Sequence, residues 1–358
     1  MAERSIYINI VKGVAIFLMI WGHCIQVCAL DTFDFFENAV FKVIYSFHMP
    51  LFMLVSGYLF QVSFQKRNLK DLIVHRAKPI VWTIIIGGIV IWFCTTCLFE
   101  VLRGNYSIIF GGHWVKTFDG LWFLWSILSA SIGVAIICKK VTYLWLQIPL
   151  LLLWGFVVLL FPNAENNLYM YPYYIIGFYF AKYKEKISSK LMFIKYVTIP
   201  LFPIMCLFFE KKHYIYTGGL LGGVYVDGFL NILKMNMFRW AIGLVGSVFV
   251  LTIIEVIFKL FIQNSSRGLG KKLFIPLERT GEKSLQIYVL SSIFVSSWLP
   301  LLYKKVVDVI GKGNFMAINI WVYNLIYTFL LATIFTIAIY WLIKLLYKLR
   351  IGKIIFCK

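Results

Sequence analysis

Long apolar runs recur along the whole chain, and short segments rich in lysine and arginine separate them. The run at 79–99, for example, contains no charged residue. An α-helix of about 20 residues is long enough to cross the hydrocarbon core of a bilayer. Hydrophobic residues fill 61% of the 358 positions and charged residues only 14%, so one soluble core could not bury this apolar surface. The sequence therefore predicts an all-α integral membrane protein and excludes a soluble or disordered chain.

Ten segments match a membrane-spanning helix in length and hydropathy, and we expect them to form a single membrane-embedded domain over residues 1–358. No A-x-A cleavage site follows the first run, so this run is expected to stay in place as the first span. The sixth segment is short and carries Pro172 and Gly177, so it is interpreted either as a full span or as a broken or re-entrant one. The predicted spans are 6–29, 38–62, 79–99, 118–138, 141–161, 168–181, 193–209, 238–262, 284–303 and 316–343.

The basic residues sort to one side of the membrane when the N-terminus is placed in the cytoplasm. The inner segments then hold 25 of the 35 basic residues and six of the 15 acidic ones, a net charge of +19. The outer segments hold the remaining ten and nine, a net charge of +1. This is the positive-inside pattern, and it predicts a bundle of about ten helices with both termini in the cytoplasm. The net charge of +20 is thus a topology signal, and no nucleic-acid partner is expected.

Two histidines interrupt apolar helices, where an ionisable side chain is costly and usually functional. His23 is predicted about 9 Å from the outer end of the first span, and His48 about 15 Å from the outer end of the second. Both therefore fall in the outer half of the bilayer, on consecutive antiparallel helices. An imidazole is the side chain best suited to act as a general base near neutral pH. The alternative for each is a purely structural hydrogen bond between helices.

A cluster of basic residues precedes the third span and ends in Arg76 and Lys78, at the mouth of the predicted helix. Topology alone explains most of this cluster. An arginine fork and a lysine charge at this position could also bind the phosphates of a ligand that enters from the cytoplasm. In the second span Pro50 interrupts the helical hydrogen bonding and Ser56 follows it, a pattern typical either of a backbone that lines a cavity or of close helix packing.

Signatures of soluble enzymes and of metal centres are missing from the sequence. It contains no GxSxG elbow, no Walker A loop and no cluster of histidine, cysteine and carboxylate residues with metal-ligand spacing. The seven cysteines are odd in number and suggest no disulfide framework. Cys94 and Cys97 form a lone CxxC at the end of an apolar run, which is far more typical of packing than of redox chemistry. We therefore expect no metal and no permanently bound cofactor.

Short blocks spread over nearly the whole chain carry a resemblance to a known group of membrane proteins. They are RSIYINIVKG at 4–13, WGH at 21–23, FHMPLF at 47–52, SGY at 56–58, RAKP at 76–79, LWFL at 121–124, YPYYIIG at 171–177 and GEKSLQIY at 281–288. In these blocks the chain resembles the acyltransferase-3 family, the multi-span membrane acyltransferases that O-acylate bacterial surface carbohydrates.

The resemblance implies a ten-span core that takes an acyl group, usually acetyl, from a cytoplasmic acyl-CoA. It implies delivery of that group to a hydroxyl of an extracytoplasmic or membrane-linked glycan. The key histidine of the family corresponds to His23, and its basic element corresponds to Arg76 and Lys78. The chain departs from the family pattern where it has Asn9 in place of aspartate, Lys78 in place of arginine, and Ser291 in place of histidine.

The residues and the resemblance together predict a multi-pass O-acyltransferase of the bacterial cytoplasmic membrane, with acetyl-CoA or another acyl-CoA as co-substrate. Its expected partners are the lipid bilayer, a glycan or lipid-linked glycan acceptor, and proteins of glycan assembly. His23 is expected to act as the general base or as a transient acyl carrier, and His48 to orient the acceptor or polarise the thioester. The predicted donor-binding residues are Arg76, Lys78 and Lys12, and the predicted cavity residues are Asn9, Ser56, Tyr58, Trp122, Tyr174 and Tyr288.

Two alternatives belong to other functional classes. The first is a membrane transporter for a glycan or a lipid-linked precursor, which inverted repeats and paired broken helices would favour. The second is a non-catalytic membrane subunit that binds the enzymes of glycan assembly. No internal repeat is detectable in the sequence, and the presence of both histidines favours an enzyme.

Overall fold

The chain is helical throughout the part that the computed structural model describes, which comprises residues 2–29, 34–97, 115–263, 269–300, 303, 305, 309 and 322–357. No strand occurs within these residues. The α-helices of five or more residues are α1 (Ala2–Val27), α2 (Ala39–Lys66), α3 (Leu69–Trp92), α4 (Val115–Gly120), α5 (Trp122–Lys140), α6 (Leu144–Val158), α7 (Ala164–Leu207), α8 (Phe229–Phe258), α9 (Leu269–Glu282), α10 (Ser284–Ile293), α11 (Thr328–Lys348) and α12 (Ile351–Ile355).

Seven helices in the described residues are long and apolar enough to cross a membrane, where the sequence predicts about ten spans. They are α1, α2, α3, α5, α7, α8 and α11, and two shorter apolar helices, α6 and α10, fall below the length of a full span. The prediction of an all-α membrane protein is therefore confirmed at the level of fold class. The last residues of the predicted third span and the first of the tenth, 98–99 and 316–321, lie outside the described residues.

Asparagine side chains determine where the second and third helices begin. The Asn38 side chain accepts a hydrogen bond from the Phe41 amide at 3.0 Å, and the Asn68 side chain accepts one from the Asp71 amide at 2.9 Å. Each bond satisfies one of the free amide groups in the first turn of a helix. Only Arg67 and Asn68 separate α2 from α3, so the chain turns back abruptly at this point.

Helix α7 doubles back on itself within 44 residues. A straight helix of that length would extend about 66 Å. However, Gly177 packs against the backbone of Leu54, and the ring of Phe202 lies 5.7 Å from that of Phe47. Leu54 and Phe47 are separated on α2 by about 10 Å, so the chain must reverse between positions 177 and 202. The predicted sixth and seventh spans, 168–181 and 193–209, are thus two legs of one continuous helical element.

The first leg of α7 bears on the alternatives left open for the sixth span, because residues 168–181 are helical throughout. The helix continues through Gly177 and through Pro172, whose missing N–H removes only the bond to the Leu168 carbonyl. Gly177 and Gly57 allow the backbones of α7 and α2 to touch, because a Cβ at either position would overlap a carbonyl oxygen of the other helix. Small residues serve this purpose in membrane helices, so the glycine here is explained by packing rather than by a break.

The two ends of the bundle differ in composition. We call one the basic end, formed by 66–78, 139–140, 182–195 and 255–259, and the other the loop end, formed by 34–38, 159–163 and 208–228. Helix α1 runs from the basic end to the loop end, and α2 runs back beside it. Helix α2 lies at the centre of the bundle, in contact with α1, α5, α7 and α8, so it positions most of the side chains discussed below.

Candidate functional site

His23 lies near the C-terminal end of α1, at the loop end. Its Nδ1 is 3.4 Å from Oε1 of Gln26, one helical turn further along, and 3.3 Å from the hydroxyl oxygen of Tyr45 on α2. The Tyr45 hydroxyl can donate to Nδ1 or accept from it, whereas a carbonyl oxygen can only accept, so the contact with Gln26 is a hydrogen bond when Nδ1 carries the proton. Nε2 then keeps its lone pair, and it makes no hydrogen bond to the described residues. This is the tautomer that a general base requires.

His48 is buried one helical turn below Tyr45 on α2. Its Nδ1 lies 2.8 Å from the carbonyl oxygen of Ile44, which again places the proton on Nδ1 and leaves the Nε2 lone pair free. The rings of His48 and Tyr45 are 4.8 Å apart. Tyr45 therefore contacts both histidines, and it brings the two residues singled out from the sequence into one cluster.

A cavity of about 100 Å³ lies between α1, α2, α5 and α10, on the basic-end side of this histidine cluster. Along α1 it extends from Lys12 to Met19, which is one helical turn before His23. Along α2 it reaches Met49, the residue after His48. Neither histidine lines the cavity, which lies on the side of them away from the loop end. Its lining consists of Lys12, Ile16, Met19, Met49, Phe52, Val55, Ser56, Leu59, Phe123, Leu124, Ile127, Ser284, Leu285 and Tyr288.

Three of the predicted site residues line this cavity, namely Lys12, Ser56 and Tyr288. The Tyr288 hydroxyl accepts a hydrogen bond from the Phe123 amide at 3.4 Å, and the two rings lie 5.8 Å apart. This contact fixes α10 against the start of α5 and holds the wall of the cavity in place. Trp122 contacts the Phe123 ring from outside the cavity, at 6.0 Å, and does not line it.

Arg76 and Lys78, predicted to act together, point in different directions. They are two residues apart on α3, which places them on opposite faces of a helix. The Arg76 guanidinium turns into the bundle, 5.9 Å from the centre of the Phe60 ring and beside the buried Tyr174 hydroxyl. Its Nε makes no hydrogen bond within the described part of the chain. Lys78 is exposed.

The remaining predicted residues lie away from the cavity. Asn9 is in the contact between α1 and α9, where a Cβ at Gly281 would overlap its carbonyl oxygen. Tyr58 packs near Phe180 at 6.2 Å, on the face of α2 that meets α7. Ser291 donates to the carbonyl oxygen of Tyr288 at 2.8 Å, so its hydroxyl is used within its own helix. No group of three metal-ligating side chains occurs in the residues that the structure describes.

Sequence reasoning missed three residues around the site: Gln26, Tyr45 and Arg239. Gln26 follows His23 at helical spacing, which was a usable signal. The contact of Tyr45 with His23 depends on how two helices pack and had no such signal. Arg239 interrupts an apolar run, and because burying a charged side chain there costs free energy, its presence indicates a structural or functional role.

Arg239 is fully buried near the start of α8 and organises the loop end. Its guanidinium donates to the carbonyl oxygen of His213 at 3.1 Å and to that of Gly219 at 2.7 Å. It also donates to Asn236 Oδ1 at 3.0 Å. Further bonds reach the carbonyl oxygens of Lys212 and Tyr214. One side chain thus ties down the backbone over 212–219.

Comparison with known proteins shows which family this chain matches. The family described as acyltransferase domain matches residues 5–345. The nodulation protein NolL of Sinorhizobium fredii is 28% identical over 202 residues, covering 53% of this chain and 52% of that protein. The nodulation protein NolL of Mesorhizobium japonicum is 25% identical over 185 residues, covering 50% and 48%. The chain thus spans about half the length of these curated relatives, and no solved structure matches it.

The family match runs from the first helix to the last long one, and apart from Arg4 it includes every block in which the sequence resembles that family. It contains the histidine cluster and all the residues that line the cavity. The chain therefore belongs to the acyltransferase-3 family, as its sequence predicts.

Proposed function

We propose that this protein is a membrane O-acyltransferase that transfers an acyl group, most simply acetyl, from a cytoplasmic acyl-CoA to a hydroxyl of a glycan. The observation that carries the proposal is the cavity between the basic end and the histidine cluster. It would admit a narrow chain from the Lys12 side toward Met19 and Met49, the lining residues nearest in sequence to the two histidines. The acceptor, a surface glycan or a lipid-linked glycan presented by assembly proteins, would approach from the loop end.

The proposed topology has ten crossings, with both termini in the cytoplasm of a bacterium and the basic end facing inward. Counting the two legs of α7 separately and adding the shorter apolar helices α6 and α10 raises the seven candidate spans to ten. The lysines along 182–195 support the orientation, because they lie where α7 reverses at the basic end.

The donor would bind with its phosphates at the basic end. Arg76 is the stronger candidate for this contact, because its unpartnered Nε can donate to an anionic oxygen. Lys12 stands at the inner mouth of the cavity, and Lys78 would contribute only a longer-range charge. The thioester arm would then pass Ser56 and Tyr288 and place its carbonyl near Met19 and Met49. At this depth it would lie one helical turn from His23 on α1 and next to His48 on α2.

In the proposed reaction Nε2 of His23 accepts the proton of the acceptor hydroxyl, and the hydroxyl oxygen attacks the thioester carbonyl carbon. The tetrahedral intermediate collapses with cleavage of the carbon–sulfur bond, and the proton on His23 passes to the departing thiolate. The bond from Nδ1–H to Gln26 Oε1 would hold the ring in the required tautomer, and the Tyr45 hydroxyl would pack against the same nitrogen. His48 would polarise the thioester carbonyl or orient the acceptor.

An alternative path makes His23 the acyl carrier. Nε2 then attacks the thioester carbonyl carbon, the carbon–sulfur bond breaks, and the thiolate departs as the thiol with the proton released from Nδ1. In a second step the acceptor hydroxyl oxygen attacks the acyl carbon, the bond to Nε2 breaks, and the hydroxyl proton returns to the imidazole. Incubation of the protein with labelled acyl-CoA without acceptor distinguishes the two paths. A label that stays on His23 after denaturation identifies the carrier, whereas an unlabelled protein identifies the base.

The main test replaces His23 with alanine and measures acylation of the cell-surface glycan at equal membrane abundance. Loss of a general base is expected to lower the rate by at least about 10²-fold. His75→Ala is the matched control, because His75 is exposed at the basic end and should tolerate the change. Retained acylation in His23→Ala would refute the proposed role. A purified protein that neither transfers nor hydrolyses acyl-CoA would instead indicate a transporter or a non-catalytic subunit.

The donor site is tested with single replacements of Arg76 and Lys78. Because only Arg76 faces the bundle, Arg76→Ala should raise the apparent KM for acyl-CoA about tenfold, and Lys78→Ala should raise it much less. Lys70→Ala serves as the control for loss of a basic-end charge, since Lys70 is exposed. An unchanged apparent KM for acyl-CoA in Arg76→Ala would mean that Arg76 and Lys78 serve only to set the membrane topology.

A further inference from the structure

Five aromatic side chains from three segments meet at the loop end, above the histidine cluster. We call this group the aromatic platform, and its members are Phe36, Phe41, Tyr45, Tyr214 and Tyr216. Phe41 and Tyr45 stack at 4.0 Å, and Phe36 and Tyr216 stack at 5.9 Å with an interplanar angle of 28°. Tyr216 also meets Tyr45 edge-on at 5.9 Å and lies 5.7 Å from Tyr214. The rings therefore form one continuous patch.

Tyr45 joins this patch directly to the proposed catalytic residue, because its hydroxyl oxygen lies 3.3 Å from His23 Nδ1. Tyr216, at the other edge, remains 45% exposed although it stacks on Phe36. A molecule that rests on the free part of Tyr216 would thus lie two rings away from His23. The platform is open to the aqueous side and leads to the reacting centre.

An unpartnered hydroxyl lies inside the same patch. Tyr214 is only 2% exposed, and its hydroxyl has no hydrogen-bond partner in the described residues. A buried hydroxyl without a partner costs about 1–3 kcal/mol, so such groups are uncommon unless something else satisfies them. The Tyr214 ring is 6.3 Å from that of Tyr45. The hydroxyl is closed off from solvent in this arrangement, so a ligand hydroxyl would satisfy it only where the rings of the platform part to admit one.

The charges around the platform cancel in pairs. Lys211 bonds Asp34 at 2.8 Å, Lys42 bonds Glu37 at 3.0 Å, and Lys212 bonds Glu210 at 2.7 Å. Burial raises the pKa of Asp34, but the bonds from Lys211 and the Phe36 amide outweigh it and leave that pKa below its usual value. The Asp34–Lys211 pair is therefore ionised at neutral pH. Within these three pairs the rim offers hydrogen-bonding groups without a surplus charge of either sign.

The loop that supplies Tyr214 and Tyr216 is held in place before any ligand arrives. Arg239 bonds carbonyl groups on both sides of these tyrosines, at His213 and at Gly219. A site with a fixed loop does not have to order that loop on binding, which leaves more of the contact energy for affinity.

We propose that the aromatic platform is a carbohydrate subsite that binds a neutral pyranose of the acceptor. The axial C–H groups of such a ring form an apolar face with partial positive charge, which packs on the electron-rich face of an aromatic ring. Tyr216 supplies that face, Tyr214 meets a hydroxyl of the sugar, and Asp34 and Lys211 bond further hydroxyls at the rim. Among the described residues of the rim, the lysines that an acidic sugar would meet are already paired with carboxylates. The inference rests on the proposed acyl transfer at His23, and it adds the class of the acceptor.

The test measures binding without transfer, on the purified full-length protein in nanodiscs. The probes are neutral tetrasaccharides of hexoses and N-acetylhexosamines, with hexuronic-acid tetrasaccharides of equal length for comparison, followed by saturation-transfer NMR. We expect at least one neutral probe to bind more tightly than every acidic one. Tyr216→Ala should weaken that binding about tenfold, and Tyr216→Phe should preserve most of it. Tyr214→Phe removes only the hydroxyl and should weaken binding several-fold.

Tyr143→Ala is the control, because Tyr143 is an exposed tyrosine between α5 and α6, far from the platform. His23→Ala separates this inference from the proposed function, since it should abolish transfer and leave sugar binding intact. Binding by no neutral probe, preference for an acidic probe, or wild-type affinity in a correctly folded Tyr216→Ala would each overturn the subsite. Neutral-sugar binding together with full transfer by His23→Ala would overturn the proposed role of His23 and leave the subsite standing.

Discussion

Replacement of Arg239 by methionine should release the loop at 212–219 without unfolding the bundle. The change keeps an apolar stem of similar length and removes five hydrogen bonds. Three of them, to His213, Tyr214 and Asn236, are fully buried, and the other two are partly buried. With about 1 kcal/mol for each buried bond and about half of that for each partly buried one, the loop loses about 4 kcal/mol.

Amide hydrogen exchange measures this loss directly. A loss of about 4 kcal/mol corresponds to about 10³-fold faster exchange of the amides at 212–219. Arg239→Lys should give an intermediate acceleration, because an ammonium group can retain only some of the bonds. Lys234→Met is the matched control, since it removes an exposed charge from the same helix and should leave exchange at 212–219 unchanged.

Two outcomes would refute this reasoning. Wild-type exchange at 212–219 in Arg239→Met would mean that the loop is held by other contacts. Equal acceleration in α1 and α2 would mean that Arg239 supports the whole bundle rather than the loop. A selective acceleration, accompanied by weaker acceptor use and unchanged donor use, is the expected result.

Three other changes test the packing, the electrostatics and the site. Gly177→Ala should lower the free energy of unfolding by about 2–3 kcal/mol in a thermal-unfolding assay, because the new Cβ overlaps the α2 backbone. Gly120→Ala is the control and should be neutral, because the space around Gly120 is open. Burial and the neighbouring Lys212 lower the pKa of His213 to about 4. The unfolded chain therefore binds the proton first, and the free energy of unfolding falls as the pH drops from about 6.5 to 4. His213→Asn should flatten this pH dependence of stability, and an unchanged profile would contradict the argument. Gln26→Leu should lower kcat about tenfold with an unchanged KM for the donor. Gln26→Glu should move the acidic limb of the pH–rate profile to higher pH. Wild-type kinetics in both variants would exclude a positioning role for Gln26.

The sequence predicted the class of fold and the family because both depend on local features. Apolar runs, basic segments and short motifs can be identified without knowing how the helices pack. The behaviour of α7 could not be found in this way. Hydropathy divides it into two spans, but no glycine or proline occurs from 178 to 199, so nothing in this segment stops the helical hydrogen bonding. The lysines along 182–195 lie where α7 reverses, but they do not interrupt the helix.

The candidate site shows the same division between local and distant information. His23 and His48 were identifiable because an imidazole in an apolar helix is unusual. The opposite directions of Arg76 and Lys78 follow from helical periodicity and could have been deduced. The contact between Tyr45 and His23 depends on the rotation and register of two helices, and no motif in the sequence encodes these.

Helix α2 contributes to every part of the proposed reaction path. Ser56 and Met49 line the cavity, His48 and Tyr45 belong to the histidine cluster, and Phe41 lies in the aromatic platform. A substitution on α2 therefore tends to disturb donor and acceptor handling together, whereas one in 208–228 alters only the acceptor side. Among descendants of this protein that acylate new sugars, adaptive substitutions should accumulate in that loop. Substitutions on α2 should be rarer, because each would affect the donor side and the acceptor side together.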